Sequence, residues 1–309
     1  MKIARTIADC RRLLATMPRP LGLVPTMGAV HDGHLALVQS ARERCASVAA
    51  SLFVNPTQFG QGEDFEKYPR AEARDLTLLE QAGVGVLFAP TVAEMYPAGA
   101  AATVHISGPL GEALEGAQRP GHFDGVATVV SALFAIVAPD VAYFGQKDAQ
   151  QLAVIRRLTA DLHLPVQIVA VETVREPDGL ARSSRNVYLT PEQRTAAPAL
   201  YRALLAGRDV AVGQADAGGQ ATGGLAGEPA ATPAAVIAAV TATLAATSFA
   251  VAYVAVVNGD SFVPESSLGP HSLLIAAARL GATRLLDNIS LAKSATQPVS
   301  AYPAGDATN

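Results

Sequence analysis

An α/β fold is predicted by three features of the 309-residue sequence. Short apolar runs alternate with helix-length amphipathic stretches through residues 21–171, the mark of βαβ units around a parallel sheet. Beyond Arg175 the alternation weakens, and two Ala-rich helical stretches precede strand-like runs, so a smaller α+β unit should follow. Half of the residues are hydrophobic and 16% are charged, enough apolar material for sizeable cores in a chain of this length.

Taken in order, buried strands are expected at 21–25, 48–54, 84–89, 141–144 and 166–171. Between them, Val126, Val129, Val130, Leu133, Phe134 and Val137 recur at helical spacing, as do Leu152, Ile155, Leu158 and Leu162. Each set gives an apolar face to cover the sheet. The expectation for residues 1–174 is therefore a Rossmann-like parallel sheet with helices on both faces. Residues 175–292 should form a smaller α+β C-terminal lid domain, with helices at 191–206 and 233–246 and strands at 249–257 and 273–279. Residues 212–232 are rich in Gly and Ala without periodicity and read as a flexible surface insertion. The polar, irregular tail at 293–309 reads as disordered.

Composition narrows the function classes. The net charge of −4, with both signs interspersed, leaves no electrostatic footprint for nucleic acid or an anionic membrane surface. A small soluble substrate is expected instead. Lys2, Arg5, Asp9, Arg11 and Arg12 interrupt the first twenty residues, so neither a signal-peptide core nor a spanning helix fits, and a cytoplasmic location is expected. Cys10 and Cys45 alone supply neither a disulfide framework nor a cysteine-based zinc site.

In open α/β sheets ligands bind at the carboxyl ends of the strands, so chemistry is sought just after them. The segment Val24-Pro25-Thr26-Met27-Gly28-Ala29-Val30-His31-Asp32-Gly33-His34 lies between the first of these strands and a helix starting near His34. A Gly-containing turn there lets backbone approach a phosphate, while the unpaired N–H groups of the following helix face the same spot. His31 and His34 would share one side of the turn, able to donate to phosphate oxygens and to become more cationic as negative charge accumulates. Lys147 and Asp148 follow the 141–144 strand, where a cation reaches phosphates and a carboxylate reaches a ribose or a magnesium ion. Asp148 with Gln151 three residues on also fits a helix capping box. Ser183, Ser184 and Arg185 form a donor cluster suited to phosphate oxygens, although such a run also fits a solvated loop.

His31-Asp32-Gly33-His34 resembles the HxGH signature of nucleotidyltransferases. Longer motifs are similar, in order and spacing, to the pantothenate synthetase (pantoate–β-alanine ligase) family of that superfamily. These are Pro25-Thr26-Met27-Gly28-Ala29-Val30-His31, Phe53-Val54-Asn55-Pro56-Thr57-Gln58-Phe59 and Asp64-Phe65-Glu66-Lys67-Tyr68-Pro69-Arg70. Arg119-Pro120-Gly121-His122-Phe123, Phe144-Gly145-Gln146-Lys147-Asp148, Gln150-Gln151-Leu152 and Ser183-Ser184-Arg185-Asn186 agree as well, with a weaker match over 283–289.

The resemblance implies ATP-dependent condensation of pantoate with β-alanine through a pantoyl-adenylate, releasing AMP and pyrophosphate. It implies catalytic roles for His34, His31, Lys147 and Arg185. ATP contacts would come from Met27, Gly28, Ala29, Val30, His31, Asp32, Gly33, His34, Gly145, Gln146, Lys147, Asp148, Val174, Arg182, Ser183, Ser184 and Arg185. Gln58, Gln151, Asn55, Met27 and Tyr68 would hold pantoate and β-alanine; Asn55 and Gln58 follow the second strand and offer uncharged groups suited to a hydroxy acid, though Asn55-Pro56 also fits a turn. Magnesium would arrive with ATP, Asp148 being one candidate ligand, without a dedicated protein cage. Residues 64–70 would form a mobile flap, and the enzyme would be a homodimer. Two positions depart from the family pattern: Arg182 stands where relatives often carry Met or Leu, and Ala132 where they often carry Lys.

Overall fold

The apolar runs assemble into one parallel sheet. The structure is a computed structural model that describes residues 1–60, 62–213 and 231–292. Its elements run β1 (Lys2–Ala4), α1 (Ile7–Leu14), β2 (Leu21–Thr26), α2 (Asp32–Arg44), β3 (Ser47–Leu52), α3 (Glu72–Gln81), β4 (Val86–Phe88) and α4 (Val92–Met95). There follow α5 (Pro109–Glu112), α6 (Glu115–Gln118), α7 (His122–Val137), β5 (Val141–Gly145), α8 (Ala149–Asp161) and β6 (Gln167–Val171). The strand order is β1-β4-β3-β2-β5-β6 and the pairings are parallel. From β2 the chain builds outward through β3 and β4, then returns to the other side of β2 as β5. The carboxyl ends of β2 and β5 therefore diverge in mid-sheet and open a crevice between them.

Helices cover both faces, as the periodicity requires. Cys10 and Leu14 of α1, Val126 to Val137 of α7 and Leu152, Ile155 and Leu158 of α8 pack on one face. Leu37, Val38 and Ala41 of α2 and Leu79 of α3 pack on the other. β1 escaped the sequence reading because three residues, two of them exposed, carry no period. It pairs with β4 and forms the edge of the sheet.

The second unit contains α9 (Pro191–Ala196), α10 (Ala199–Ala211), α11 (Pro233–Ala245), β7 (Ala250–Asn258), β8 (Ser272–Leu280) and β9 (Thr283–Ser290). The helix expected at 191–206 is broken at Ala197-Pro198, where proline offers no N–H to continue the first segment. β7, β8 and β9 form an antiparallel sheet, and Leu200, Leu204, Val236, Val240 and Leu244 of the helices pack against it. β9 was not expected, because its buried positions Thr283, Leu285 and Asp287 mix polar with apolar side chains. Of the expected 212–232 insertion, residues 214–230 lie outside the described residues, as does the tail expected at 293–309.

The two units meet over a shared apolar cluster of Leu110, Phe123, Val154, Val257, Phe262 and Ile275. Beside it, buried Glu115 pairs with Arg284 and accepts a hydrogen bond from Tyr253 Oη at 2.8 Å. Among the described residues, no helix is long and apolar enough to cross a membrane.

Candidate active site

The crevice between β2 and β5 contains a cavity of about 210 Å³. His31 and His34 line it together with the amides of Gln58 and Gln151. A second cavity of about 110 Å³, towards the smaller unit, shares Met27, Gln58, Lys147, Asp148, Gln151 and Arg185 with it.

The turn after β2 is shaped by two consecutive residues with positive φ, Gly28 at 85° and Ala29 at 50°. A side chain at Gly28 would bring its Cβ to 3.0 Å from Asp75 Oδ2, so glycine suits both the conformation and the space. Buried Asp75 of α3 accepts the N–H of Ala29 and the N–H of Val30, each at 2.8 Å. These two backbone donors, expected at the nucleotide, are thus spent on a carboxylate that the sequence reading missed. Gly28, Ala29 and Val30 lie outside the residues lining either cavity; they set the course of the turn that presents Met27 and His31.

His31 caps α2, its Nδ1 accepting the Gly33 N–H at 3.1 Å, and His34 Nδ1 accepts the His31 N–H at 3.4 Å. The rings stack with centroids 4.1 Å apart. With both Nδ1 atoms accepting, the ring proton of each imidazole is on Nε2. Burial and nearby Lys147 push His31 down to about 4, and burial and His31 push His34 down to about 3. Both rings are neutral Nε2–H donors at neutral pH, where the sequence had suggested groups poised to become cationic. Their titration is therefore expected below the ordinary histidine range. A histidine that is harder to protonate folded than unfolded costs stability as pH falls below about 6.5, and that loss grows down to the folded pKa. NMR of the ring Cε1–H signals should show His31 and His34 constant from pH 8 to about 5.5. Exposed His105 is the internal control: its hydrogen bond to Asp124 raises its pKa, so it titrates at higher pH.

At the end of β5, Lys147 Nζ lies 3.1 Å from the Asp148 carboxylate. Confinement would raise Asp148, but Lys147 and Arg185 outweigh it and hold the carboxyl below its ordinary range. The alternative capping reading of Asp148 fails, since its side chain makes no cap hydrogen bond to α8. Gly145, Lys147, Asp148 and Val174 line the larger cavity, as do Arg182, Ser183, Ser184 and Arg185. Gln146 does not; its carbonyl faces the second unit. Asp32 is also outside the lining, paired with Arg182 at 2.8 Å, and Arg182 reaches Glu176 at 2.8 Å as well.

Asn55 lines the larger cavity and also caps the turn that follows β3. Its Nδ2 donates to Gln58 Oε1 at 3.2 Å and to the Gly125 carbonyl at 3.1 Å, while its Oδ1 accepts from Thr57 and Tyr96. Through the bond to Gln58 Oε1 the Asn55 amide also orients the Gln58 side chain. Gly125 lets α7 approach closely, because a Cβ there would lie 2.3 Å from the Thr57 carbonyl oxygen. His122 Nδ1 lies 2.7 Å from the Gln58 carbonyl oxygen, which also accepts from Arg119. The Gln58 side chain, held at both ends, donates to Met27 Sδ and faces the cavity beside Gln151. Pro25, Phe53, Val126, Val129 and Val130 add apolar side chains to the cavity lining.

The flap residue Tyr68 is buried, with its hydroxyl 3.2 Å from Ser184 Oγ. Asp64 makes a forked pair with Arg185, both distances 3.0 Å, and neighbouring Glu63 does the same with Arg119 at 2.7 Å. Two successive carboxylates, Glu63 and Asp64, thus hold the guanidinium groups of Arg119 and Arg185.

Comparison with known proteins agrees with this geometry. The family model described as pantoate-beta-alanine ligase matches residues 2–290. A pantothenate synthetase of Chloroflexus aggregans is 52% identical over 289 residues, covering 93% of this chain and 99% of that protein. The crystal structure of pantothenate synthetase from Thermus thermophilus superposes with a TM-score of 0.86 at 49% identity, covering 95% of this chain and 100% of that one. A pantoate-beta-alanine ligase from Francisella tularensis, solved in complex with beta-gamma ATP and beta-alanine, matches at TM-score 0.73 and 30% identity, covering 94% of this chain and 98% of that one. With a cavity at the sheet's switch point, the HxGH pair on its rim and kinship over nearly the whole chain, the protein belongs to the pantoate-beta-alanine ligase family.

Proposed function

We propose that the cavity between β2 and β5 carries out both steps of the family's reaction, adenylation of pantoate and capture of the adenylate by β-alanine. As a member of that family the chain is an ATP-dependent ligase that joins the two into pantothenate. The observation that carries the assignment of the site is the shared cavity, whose lining brings phosphate-type donors together with two glutamine amides.

Pantoate carries a carboxylate, two hydroxyls and a geminal dimethyl group. The wall of Phe53, Val126, Val129 and Val130 suits the methyls, and burying two of them contributes about 1.5 kcal/mol. Gln58 and Gln151 take the hydroxyls and carboxylate. That leaves the carboxylate near Met27 and the imidazoles, with Lys147, Ser184 and Arg185 on the phosphate side.

A carboxylate resists attack by an amine because oxide is a poor leaving group, and transfer of AMP onto it supplies a better one. A carboxylate oxygen attacks the α-phosphorus, and the bond to pyrophosphate breaks. Negative charge grows on the phosphates, where His31 and His34 donate Nε2–H and Lys147 and Arg185 supply fixed positive charge. The phosphates compete with Asp64 for Arg185, which links nucleotide binding to the flap. In the second step the β-alanine amine attacks the acyl carbon and AMP leaves. Tyr68 and the flap exclude water meanwhile.

Magnesium fits the donor set as an ion carried by ATP. Asp148 is one carboxylate able to join its phosphate oxygens, and no cluster of three or more metal-ligating side chains occurs among the described residues. There it would neutralise phosphate charge. The kinship further supports a cytoplasmic homodimer, with residues 1–174 and 175–292 as its two domains.

The test is isotope exchange. Labelled pyrophosphate should enter ATP when pantoate is present and β-alanine is not, while AMP accumulates in quantity only after β-alanine is added. A stable nucleotidyl product that β-alanine leaves untouched would instead mark a nucleotidyltransferase that stops at the first step.

A further inference from the structure

Lys147 is gripped from the other sheet. Asn288, a buried residue of β9, donates from Nδ2 to the carbonyl oxygens of both Gln146 and Lys147, each at 2.9 Å. Its two amide hydrogens thus hold the turn that delivers Lys147 from the end of β5. The preceding residue, buried Asp287, makes a forked pair with Arg175 at 2.6 and 3.0 Å and accepts the Asn288 N–H at 2.8 Å. Arg175 in turn donates to the Gly179 carbonyl at 3.1 Å and lies over the Tyr201 ring, 3.6 Å from its centroid. Gly179 begins the stretch that leads through Arg182 to Ser184 and Arg185. The weak sequence match at 283–289 is the segment that contributes this pair.

We infer that Asn288 is a positioning residue for the adenylation step, and that the dipeptide Asp287-Asn288 sets the separation between the Lys147 turn and the Ser183–Arg185 loop. A carboxamide is the group this position requires. Two carbonyl oxygens face it, so it must present two donors, and an aspartate of the same shape would present only acceptors. The expectation rests on Lys147 acting at the phosphates, as proposed above. A displacement of about 1 Å in a charge-stabilising group can cost on the order of 10²-fold in rate.

The experiment measures pantoate-dependent pyrophosphate exchange, pantoate affinity and melting temperature for Asn288→Ala, Asn288→Asp and Lys147→Ala. Asn288→Ala should lower exchange by roughly 10- to 100-fold with pantoate affinity within about twofold, since Gln58 and Gln151 do not depend on it. Asn288→Asp should be worse than Asn288→Ala by about tenfold or more, despite closer shape, because its acceptors repel the two carbonyls. Near-normal exchange in both Asn288 variants, with Lys147→Ala inactive, overturns the positioning role alone. Normal exchange in Lys147→Ala overturns the phosphate role on which it rests. Losses that follow the fall in folded fraction, equal for exchange and pantoate binding, would make Asn288 merely structural and also overturn the inference.

Discussion

Replacing His34 by Ala is expected to lower turnover by about 10²- to 10³-fold, the usual cost of removing one donor from a site of developing negative charge. The protein should stay folded. His34 accepts only a long hydrogen bond from the His31 N–H, so the loss to the α2 cap is about 1 kcal/mol or less. The deficit should be the same at pH 6 and pH 8, because a ring pushed down to about 3 stays neutral at both. A deficit that vanished at the higher pH would mean that the imidazolium acts instead. Steady-state rates with all three substrates decide the matter, and a variant turning over at near-wild-type rate removes His34 from the chemistry.

Asp75→Ala is expected to have the largest effect on stability of any change near the site. Asp75 is the hydrogen-bond acceptor for the Ala29 and Val30 N–H groups, and its own side chain is buried. Removing it leaves two amide donors without their partner, at about 1–3 kcal/mol each, and frees a turn in which Ala29 holds a positive φ. The denaturation midpoint should drop by the equivalent of roughly 2–5 kcal/mol. The KM for ATP should rise as the HxGH segment loses its fixed course. Asp75→Asn should fall between, since one of its two atoms still accepts. Urea titration and ATP kinetics together test this; an unchanged midpoint with unchanged KM would show that the turn holds its shape unaided.

Much of the site was legible before any coordinates. The strand-ending positions of Met27, Gln58 and Lys147, and the histidine pair three residues apart, come from local pattern and turn chemistry. Their convergence follows from the rule that parallel strands end on one rim. The readings that changed are those where a side chain has several uses. Asn55, expected to hold substrate, lines the cavity with its amide also bonded to Gln58, to Tyr96, 41 residues away, and to Gly125, 70 residues away. Asp148, for which a helix cap was the alternative reading, makes no cap hydrogen bond and pairs with Lys147. Arg182, one of the two departures from the family pattern, lines the cavity and bridges Asp32 and Glu176. Nothing in the structure explains Ala132.

By itself the sequence determined the longer strands and helices, though not β1 or β9, since a period of two or 3.6 residues is carried by neighbours in the chain. It also determined which chemical groups stand at the strand ends. Only the tertiary structure decided which of those groups are free to act. The Asp75 carboxylate reaches across 46 residues to the Ala29 N–H, and the Asn288 amide across 141 to the Lys147 carbonyl. Such pairings leave no periodic trace, because a hydrogen bond depends on where two atoms meet and not on how far apart they lie along the chain.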